Sequence, residues 1–544
     1  VSAVPSLVQS IDYSQLAAPL VVGGGALVVL VAELFLPAAR KQIVSWLTLG
    51  ILAIAAIPDL ALWPGRKSGT FCVPASTVGL FASAPFPGGQ APSSAVAPML
   101  PSGCSYSADR FTLIFQFVAL AGAFVVVLMS AATMRRDRVP TGEYHFLLLA
   151  SVTGALVLVG ARDLITLTIA LETVSLPAFA LVGMKRHSGR SSEAALKFFL
   201  VSVASTAVML FGVSLVYGAT GSVHFGSVAV GLADIPHGSS PLAAVSAPHL
   251  GSLVPGQHTS AVSHLAALGV GLTLIGFAFK VSAVPFHFWT PDTYAGAPVP
   301  VAAYLSVVSK AAGFAGLILI TGTAFSPYIH KTGPLLAVLA ALTMTIGNLV
   351  ALRQTDAVRL LAWSTVGQAG YILVPLGIGN PADYTKHIGA TVAYVIMYAA
   401  MNLGAFAVVH SVSASSRSGS TSLDAYRGLA KSRPVASAAL AFFLLCLAGL
   451  PPGLMGLFAK VAVFNAAASS HLIWLAVIMA VNVVIALYYY LAWAARLFGT
   501  PDAATASFPA ASGPSPLTLR LAIGLTLAAA VLFSVWPQPA LGAF

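Results

Sequence analysis

The chain has 544 residues, 58% of them hydrophobic and only 8% charged, with a formal net charge of +11. A soluble domain carries about 25% charged residues, so this composition excludes an ordinary water-facing fold and points to an integral membrane protein. The positive charge is no nucleic-acid footprint, because most basic residues sit in short runs between apolar segments, where topology signals belong.

A spanning helix needs roughly 20 mostly apolar residues. That ruler predicts fourteen helices, at 15–36, 43–63, 109–133, 144–161, 163–184, 193–218, 263–289, 299–323, 333–353, 356–378, 386–411, 434–467, 472–496 and 516–537. The first has no basic run before it and reads as a span, not a cleavable signal. Glu33 and Asp59, near the ends of the first two spans, read as interfacial and take no role. Two segments rich in Gly, Pro, Ser and Ala, 64–108 and 219–262, read as long loops or small lobes. The first holds Cys72 and Cys104. These are either two free thiols or, on an oxidising face, a disulfide, which would stabilise the fold by roughly 3 to 5 kcal/mol. Cys446, alone in an apolar helix, reads as a small buried hydrophobe.

Basic residues in the predicted loops number 16 on one side and 6 on the other, which places the N-terminus outside. The remaining four, Lys197, Lys280, Lys310 and Lys460, lie inside spans. An ionisable group at mid-bilayer costs roughly 2.5 to 3.5 kcal/mol on insertion scales and usually marks a pathway, unless its head reaches the interface. Lys280 precedes the predicted loop "PDTYAGAP" by 11 positions and Lys310 follows it by 12. At 1.5 Å per residue both amines lie roughly 16 to 18 Å from that loop, too deep to escape easily. Pro285 interrupts the helix beyond Lys280, a break tolerated where it lines a cavity or is covered by protein. His287, seven residues beyond Lys280 and so on nearly the same helix face, is either a proton relay or a solvated histidine. Glu172 sits mid-span with Pro177 five residues on; it is either a neutral hydrogen-bonded acid or the partner of a cation, for which Lys197 is the candidate. Lys197 has a simpler partner in Glu193, four residues earlier. Lys460 follows "LAGLPPGLMG", whose prolines and glycines interrupt the twelfth span.

Spans 4 to 8 and 9 to 13 each make a five-helix unit whose fourth member is broken. An odd number inverts the second unit, the pattern of an inverted-repeat transporter. The predicted fold class is all-α and polytopic. Its predicted parts are an N-terminal region (1–143), two repeats (144–323 and 333–496) and a final loop and helix (497–544).

Over spans 3 to 14 the chain resembles the antiporter-like membrane subunits of respiratory complex I and of multisubunit cation/proton antiporters. The stretches "FHFWTPDTYAGAPVPVAAYLSVVSKAAGFA", "NLVALRQTDAVRLLAWSTVGQAGYIL" and "LAGLPPGLMGLFAK" resemble the N-type branch of that family most closely. The family's functional glutamate and lysines match Glu172, Lys197, Lys280, Lys310 and Lys460. Lys460 stands where the M type has a glutamate, and no long lateral helix of the L type follows the last span.

The resemblance implies proton translocation coupled to quinone reduction, in a bacterial plasma membrane, beside K- and M-type neighbours and lipids. It places FMN, iron-sulfur clusters, NADH and quinone in other subunits, with no cofactor in this chain. Poising a lysine to gain and lose a proton near pH 7 takes roughly 4 to 5 kcal/mol of difference between its two states. The expected scheme has a Glu172–Lys197 pair tuning Lys280 and protons passing along Lys280, Lys310 and Lys460. A cation/proton antiporter subunit without redox drive and a non-conducting spacer of the membrane arm are the alternatives.

Overall fold

The computed structural model describes residues 11–37, 40–63, 69–72, 103–137, 139–185, 188–234, 257–415, 421–500 and 516–543. Most of the two predicted long loops, with Arg66 and Lys67, and the topology residues Arg138, Arg186 and Arg417 lie outside them.

Among the described residues thirteen helices are long and apolar enough to cross a bilayer. Two shorter apolar helices, Pro434–Ala448 and Leu454–Ser469, follow one another and supply a fourteenth crossing. In chain order the helices are α1 Ala17–Phe35, α2 Gln42–Leu62, α3 Arg110–Asp137, α4 Thr141–Gly160, α5 Leu164–Val182 and α6 Gly189–Thr220. After a ten-residue helix at Phe225–Asp234, within the segment read as a loop or lobe, come α7 Gln257–Lys280, α8 Trp289–Gly296, α9 Val299–Ala324, α10 Ile329–Ala351, α11 Ala357–Leu373 and α12 Pro381–Ser415. The last four are α13 Pro434–Ala448, α14 Leu454–Ser469, α15 Ile473–Phe498 and α16 Leu517–Val535. Their starts carry local signals: Asp163 accepts from the Thr166 amide, Ser188 from Ser191 and Asp356 from Arg359, each capping an N-terminus. The α9 helix is buried over nearly its whole length, with Gly322 and Thr323 exposed near its end, and α11 nearly so, with the other helices packed around them.

The seventh crossing is shorter than its apolar pattern suggests. Instead of running to Trp289, α7 stops at Lys280, and most of "PDTYAGAP" is the buried helix α8, not a loop. Ser282 adopts a left-handed φ of 63°, and Pro285 has no amide hydrogen to continue the ladder. The backbone groups freed there find partners in neighbouring helices. The Val284 amide donates to Thr343 of α10 (2.9 Å), and the Trp289 indole donates to the Phe279 carbonyl (3.1 Å). Trp289 stacks on Phe198 of α6 at 4.5 Å, which holds α8 against the bundle. The twelfth crossing breaks at Gly449, whose φ is 84°. There α14 passes so close to α13 that a Cβ on Gly456 would lie 1.7 Å from the Cys446 carbonyl oxygen. The fold is thus two five-crossing units, α4 to α9 and α10 to α15, each with its fourth crossing broken.

One element has no helical counterpart in the sequence pattern. Gly69–Cys72 and Cys104–Ser107 form an antiparallel hairpin, β1 and β2, with Cys72 opposite Cys104 and the two joined by a disulfide. It is tied to the bundle through β2, where the Arg162 amide donates to the Ser105 carbonyl. Beneath it the Arg162 guanidinium reaches Asp109 at 2.7 Å and Thr112 at 3.0 Å. Burial works against the charge on Asp109, but Arg162 and the Thr112 donors overcome it and hold the carboxyl below its usual range.

Replacing Arg162 with Met should therefore destabilise this end by roughly 2 kcal/mol at neutral pH. Because Asp109 is held below its unfolded value of about 3.9, the stabilisation is complete above that pH and fades as pH falls through the folded titration. Thermal unfolding of the two proteins between pH 7 and pH 3 should show the gap closing only at the acid end.

Candidate functional site

Three of the four lysines within spans end inside the bundle. Lys280 and Lys310 are each 2% exposed and Lys460 is 4% exposed. Lys280 is the last residue of α7, and its ammonium donates to the Ser175 hydroxyl on α5 (2.8 Å). Lys310 follows a π-helical segment, Leu305–Ser309, and donates to the Thr365 carbonyl of α11 (3.3 Å). Such a wide turn inside a helix recurs at functional sites. Gly313, one turn beyond Lys310, lets α9 approach Lys280: a Cβ there would be 2.9 Å from the Lys280 Cγ. Lys460 reaches back from α14 to the end of α13 and donates to the carbonyls of Leu447 (2.9 Å) and Ala448 (2.6 Å). These are carbonyls that the last turn of a helix leaves without partners. The Tyr371 ring lies under the same ammonium, 5.7 Å from its centre.

Between Lys310 and Lys460 lie two groups of hydrogen-bonded polar side chains that the charged residues alone did not reveal, one on each lysine's side. The Tyr398 hydroxyl donates to the Thr365 Oγ1 (3.0 Å), next to the carbonyl that holds Lys310. Ser364 is bonded to the Tyr490 hydroxyl, and Gln368 donates to that hydroxyl (3.2 Å) and to the Leu447 carbonyl (3.4 Å). The same Leu447 oxygen holds Lys460, so one carbonyl is shared between the second group and the last lysine. Tyr394 donates to Gln368 at 2.6 Å. A side branch passes from Tyr371 to Asn348, Tyr489 and Asn482. A signal for both groups is present in "STVGQAGY": Ser364, Thr365 and Gln368 put polar atoms on one face of an otherwise apolar span.

The structure overturns the expected Glu172–Lys197 pair. Glu172 accepts from Thr206 (2.6 Å), whereas Lys197 is 48% exposed and binds Glu193 (2.7 Å) and Asp292 (3.1 Å). Thr206 lies nine residues beyond Lys197 on α6, a rise of about 13 Å, so the carboxylate and the amine are at different depths. Asp292 also pairs with Arg359 (2.9 Å), which joins α6, α8 and α11 on the bundle exterior. Glu172 instead shares a face of α5 with Ser175, the partner of Lys280, three residues on.

His287 does not share a helix face with Lys280, because α7 has already ended. It sits in the break with its ring 5.3 Å from Trp363 of α11, and its buried Nδ1 has no partner among the described residues. Asp59 lies within one turn of the end of α2 but is covered by protein, 2% exposed, while Glu33 meets Lys41 at 2.8 Å near the end of α1. Cys446 is buried and free. Among the described residues no three His, Cys, Asp or Glu side chains gather where a metal ion could sit. A cavity of about 310 Å³, lined by Asp137, Arg190, Tyr294 and His410 among others, opens at the end of the bundle where α3 finishes and α6 begins.

Comparisons with known proteins bear on the family and the fold. A family profile described as "NADH:quinone oxidoreductase/Mrp antiporter, TM" matches residues 161–486. The chain is 51% identical to "NADH-quinone oxidoreductase subunit N 2" of Streptomyces griseus subsp. griseus, over 99% of this chain and 94% of the relative. It is similar to a chain of respiratory complex I from Thermus thermophilus, with 29% identity, a TM-score of 0.68, and 97% and 99% of the two chains covered. A chain of the Mrp complex from a Dietzia species shares the fold, with a TM-score of 0.74 at 20% identity over 97% and 96% of the two chains.

Replacing Gln368 with Met would leave the buried hydroxyl of Tyr394 without its acceptor and remove a donor to Leu447. The expected cost is roughly 1 to 3 kcal/mol, read as a lower thermal midpoint of the purified assembly. An unchanged midpoint would mean that these side chains are not held together through Gln368.

Proposed function

The chain belongs to the NADH:quinone oxidoreductase/Mrp antiporter transmembrane family, and on that premise we propose that it is the N-type, proton-translocating subunit of a bacterial NADH-quinone oxidoreductase. It is a multi-pass membrane-arm subunit, and electrons move from NADH through FMN and iron-sulfur clusters to quinone in other subunits. This chain binds no cofactor of its own. Its N-terminus faces outside the plasma membrane, its two repeats are 144–323 and 333–496, and its neighbours are K- and M-type subunits and lipids.

What carries this reading is the burial of Lys280, Lys310 and Lys460, each on an oxygen acceptor, with hydrogen-bonded side chains and one shared carbonyl between the last two. An amine withdrawn from water loses much of the preference for its charged form, and acceptors around it restore part of that preference. Such a group exchanges a proton at modest cost. Protons reach Lys310 from the 310 Å³ cavity by way of Tyr294, which lines the cavity and whose buried hydroxyl is unpaired among the described residues. They then pass toward Lys460 through water along the line marked by Thr365, Tyr490 and Gln368, while the Leu447 carbonyl fixes where the Lys460 ammonium sits. Glu172 acts on Lys280 across the α5 face that carries Ser175. Lys197 anchors α8 to α6 through Asp292, so movement of the broken helix is felt at the bundle exterior. His287 serves as a relay in the break.

Lys280→Met, Lys310→Met and Lys460→Met each keep most of the side-chain volume. In the assembled complex in sealed vesicles, each should lower NADH-driven proton translocation by roughly tenfold or more. Unchanged proton stoichiometry with normal assembly would make the chain a non-conducting spacer. Sodium-dependent transport that persists without electron transfer would make it an antiporter subunit.

A further inference from the structure

Asp59 takes no part in the path described so far. It lies on α2 directly after Pro58, within one turn of the helix end and 2% exposed, and its Oδ2 has no hydrogen-bond partner among the described residues. A carboxylate in such a place needs a cation or several donors. Two arginines lie at this end and both are otherwise engaged: Arg162 binds Asp109, Thr112 and the carbonyls of Val159 and Ala161, and Arg110 lies over the Trp63 ring (5.7 Å) and donates to the Gly542 carbonyl (3.4 Å).

Leu62, three residues beyond Asp59 on α2, packs on the cluster that contains Tyr106, so the Tyr106–Gln116 pair lies by the same end of α2, and its groups suit a carboxyl that changes its protonation. Gln116 donates to the Tyr106 hydroxyl (2.8 Å) and to the Leu156 carbonyl (3.1 Å), which uses both amide hydrogens and leaves its buried Oε1 unpaired. Tyr106 on β2 is 1% exposed and accepts from Gln116, so its own hydrogen is available to give. Burial pushes the Tyr106 phenol far above the ordinary tyrosine value, and the charge of Asp59 acts on it as well. The cluster therefore holds one spare acceptor, suited to a carboxylic acid, and one spare donor, suited to a carboxylate. The other carboxylates at this end have partners, and His224 keeps a buried Nδ1 unpaired among the described residues. Asp12 is bonded to Ser14 and Gln15, Asp109 to Arg162, and Asp163 to Thr166; His224 lines a cavity of about 400 Å³ beside β2 with Gly69, Ser107 and Arg162.

The cluster also lies along α4 from the surroundings of Lys280. Leu156, which holds Gln116, is five residues from Ser151, a rise of about 8 Å. Ser151 is bonded by Tyr304 and donates to the Val174 carbonyl, next to the Ser175 that holds Lys280.

We propose that Asp59, with Gln116 and Tyr106, is a proton-exchange site separate from the lysines, through which protons pass between the Lys280 region and water at the hairpin end of the bundle. When Asp59 gives up its proton, the Tyr106 O–H supplies a hydrogen bond to the carboxylate. When it takes a proton back, Gln116 Oε1 accepts the new O–H. The transport role rests on the lysine path, but occupancy of the site by a proton does not.

Infrared spectra of the assembled complex in H2O and D2O, with and without Asp59→Asn, read the site directly. A protonated-acid carbonyl band at neutral pH, missing from the variant and shifted in D2O, is expected. No band assignable to Asp59, or one insensitive to D2O, overturns the site. Tyr106→Phe, which removes a single hydroxyl, should shift that band, and an unmoved band would show that Tyr106 does not serve it. In vesicles Asp59→Asn should lower proton translocation at least about twofold. Wild-type translocation alongside a lost band would leave a proton store and overturn the transport role, whatever the lysine variants show.

Discussion

A backbone carbonyl released inside an apolar layer must find a donor, and at the second helix break in this chain the donor is the side chain of Lys460. The constraint is severe because no water is at hand to take the hydrogen bond, so a broken helix survives only where protein closes the gap. At the first break a threonine and a tryptophan do so; at the second, an ammonium takes two carbonyls. Charge and break then stabilise each other. The end of α13 presents the negative end of a helix dipole, which favours a cation, and the cation supplies the donors that let the helix end there. Gly449, Gly453 and Gly456 allow the chain to turn and pass closely enough for that contact to form.

The two breaks are not copies of each other. Lys280 is the final residue of the half-helix before its break, and its partner is a hydroxyl on a neighbouring helix, which can rotate and can donate as well as accept. Lys460 lies beyond its break, and its partners are carbonyls fixed by α13, which only accept. The first amine is therefore open to influence from α5, where Glu172 sits on the face that carries Ser175. The second is tied to the backbone and to the side chains that meet Leu447.

Much of this was legible in the sequence, for a physical reason. A run of some 20 apolar residues has few alternatives to spanning a bilayer, and a lysine within such a run is rare enough to stand out. Hence all fourteen crossings and the three buried lysines could be read from composition and spacing. Partners distant in sequence could not. Asp292 lies 95 residues from Lys197, and its position depends on where α7 stops, which the apolar run through Trp289 conceals. The hairpin could not be read either, because its strands are only four residues each in a glycine- and serine-rich segment. The hydrogen-bonded groups around Thr365 and around Gln368 and Tyr490 escaped notice because uncharged polar residues are ordinary in membrane helices and give no alarm singly.

Placement of the ionic groups separates two tasks. The charges at Glu193, Lys197, Asp292 and Arg359 lie on the bundle exterior and neutralise one another, so they fix α6, α8 and α11 relative to each other without needing water at depth. The buried amines have no carboxylate in direct contact among the described residues and are held by neutral oxygens instead. A close ion pair would lock an amine in its charged form, whereas hydroxyls and carbonyls accept hydrogen bonds from ammonium and neutral amine alike. A neutral first contact is therefore what a group that must change its charge repeatedly requires, and the strong pairs are kept where charge need not change.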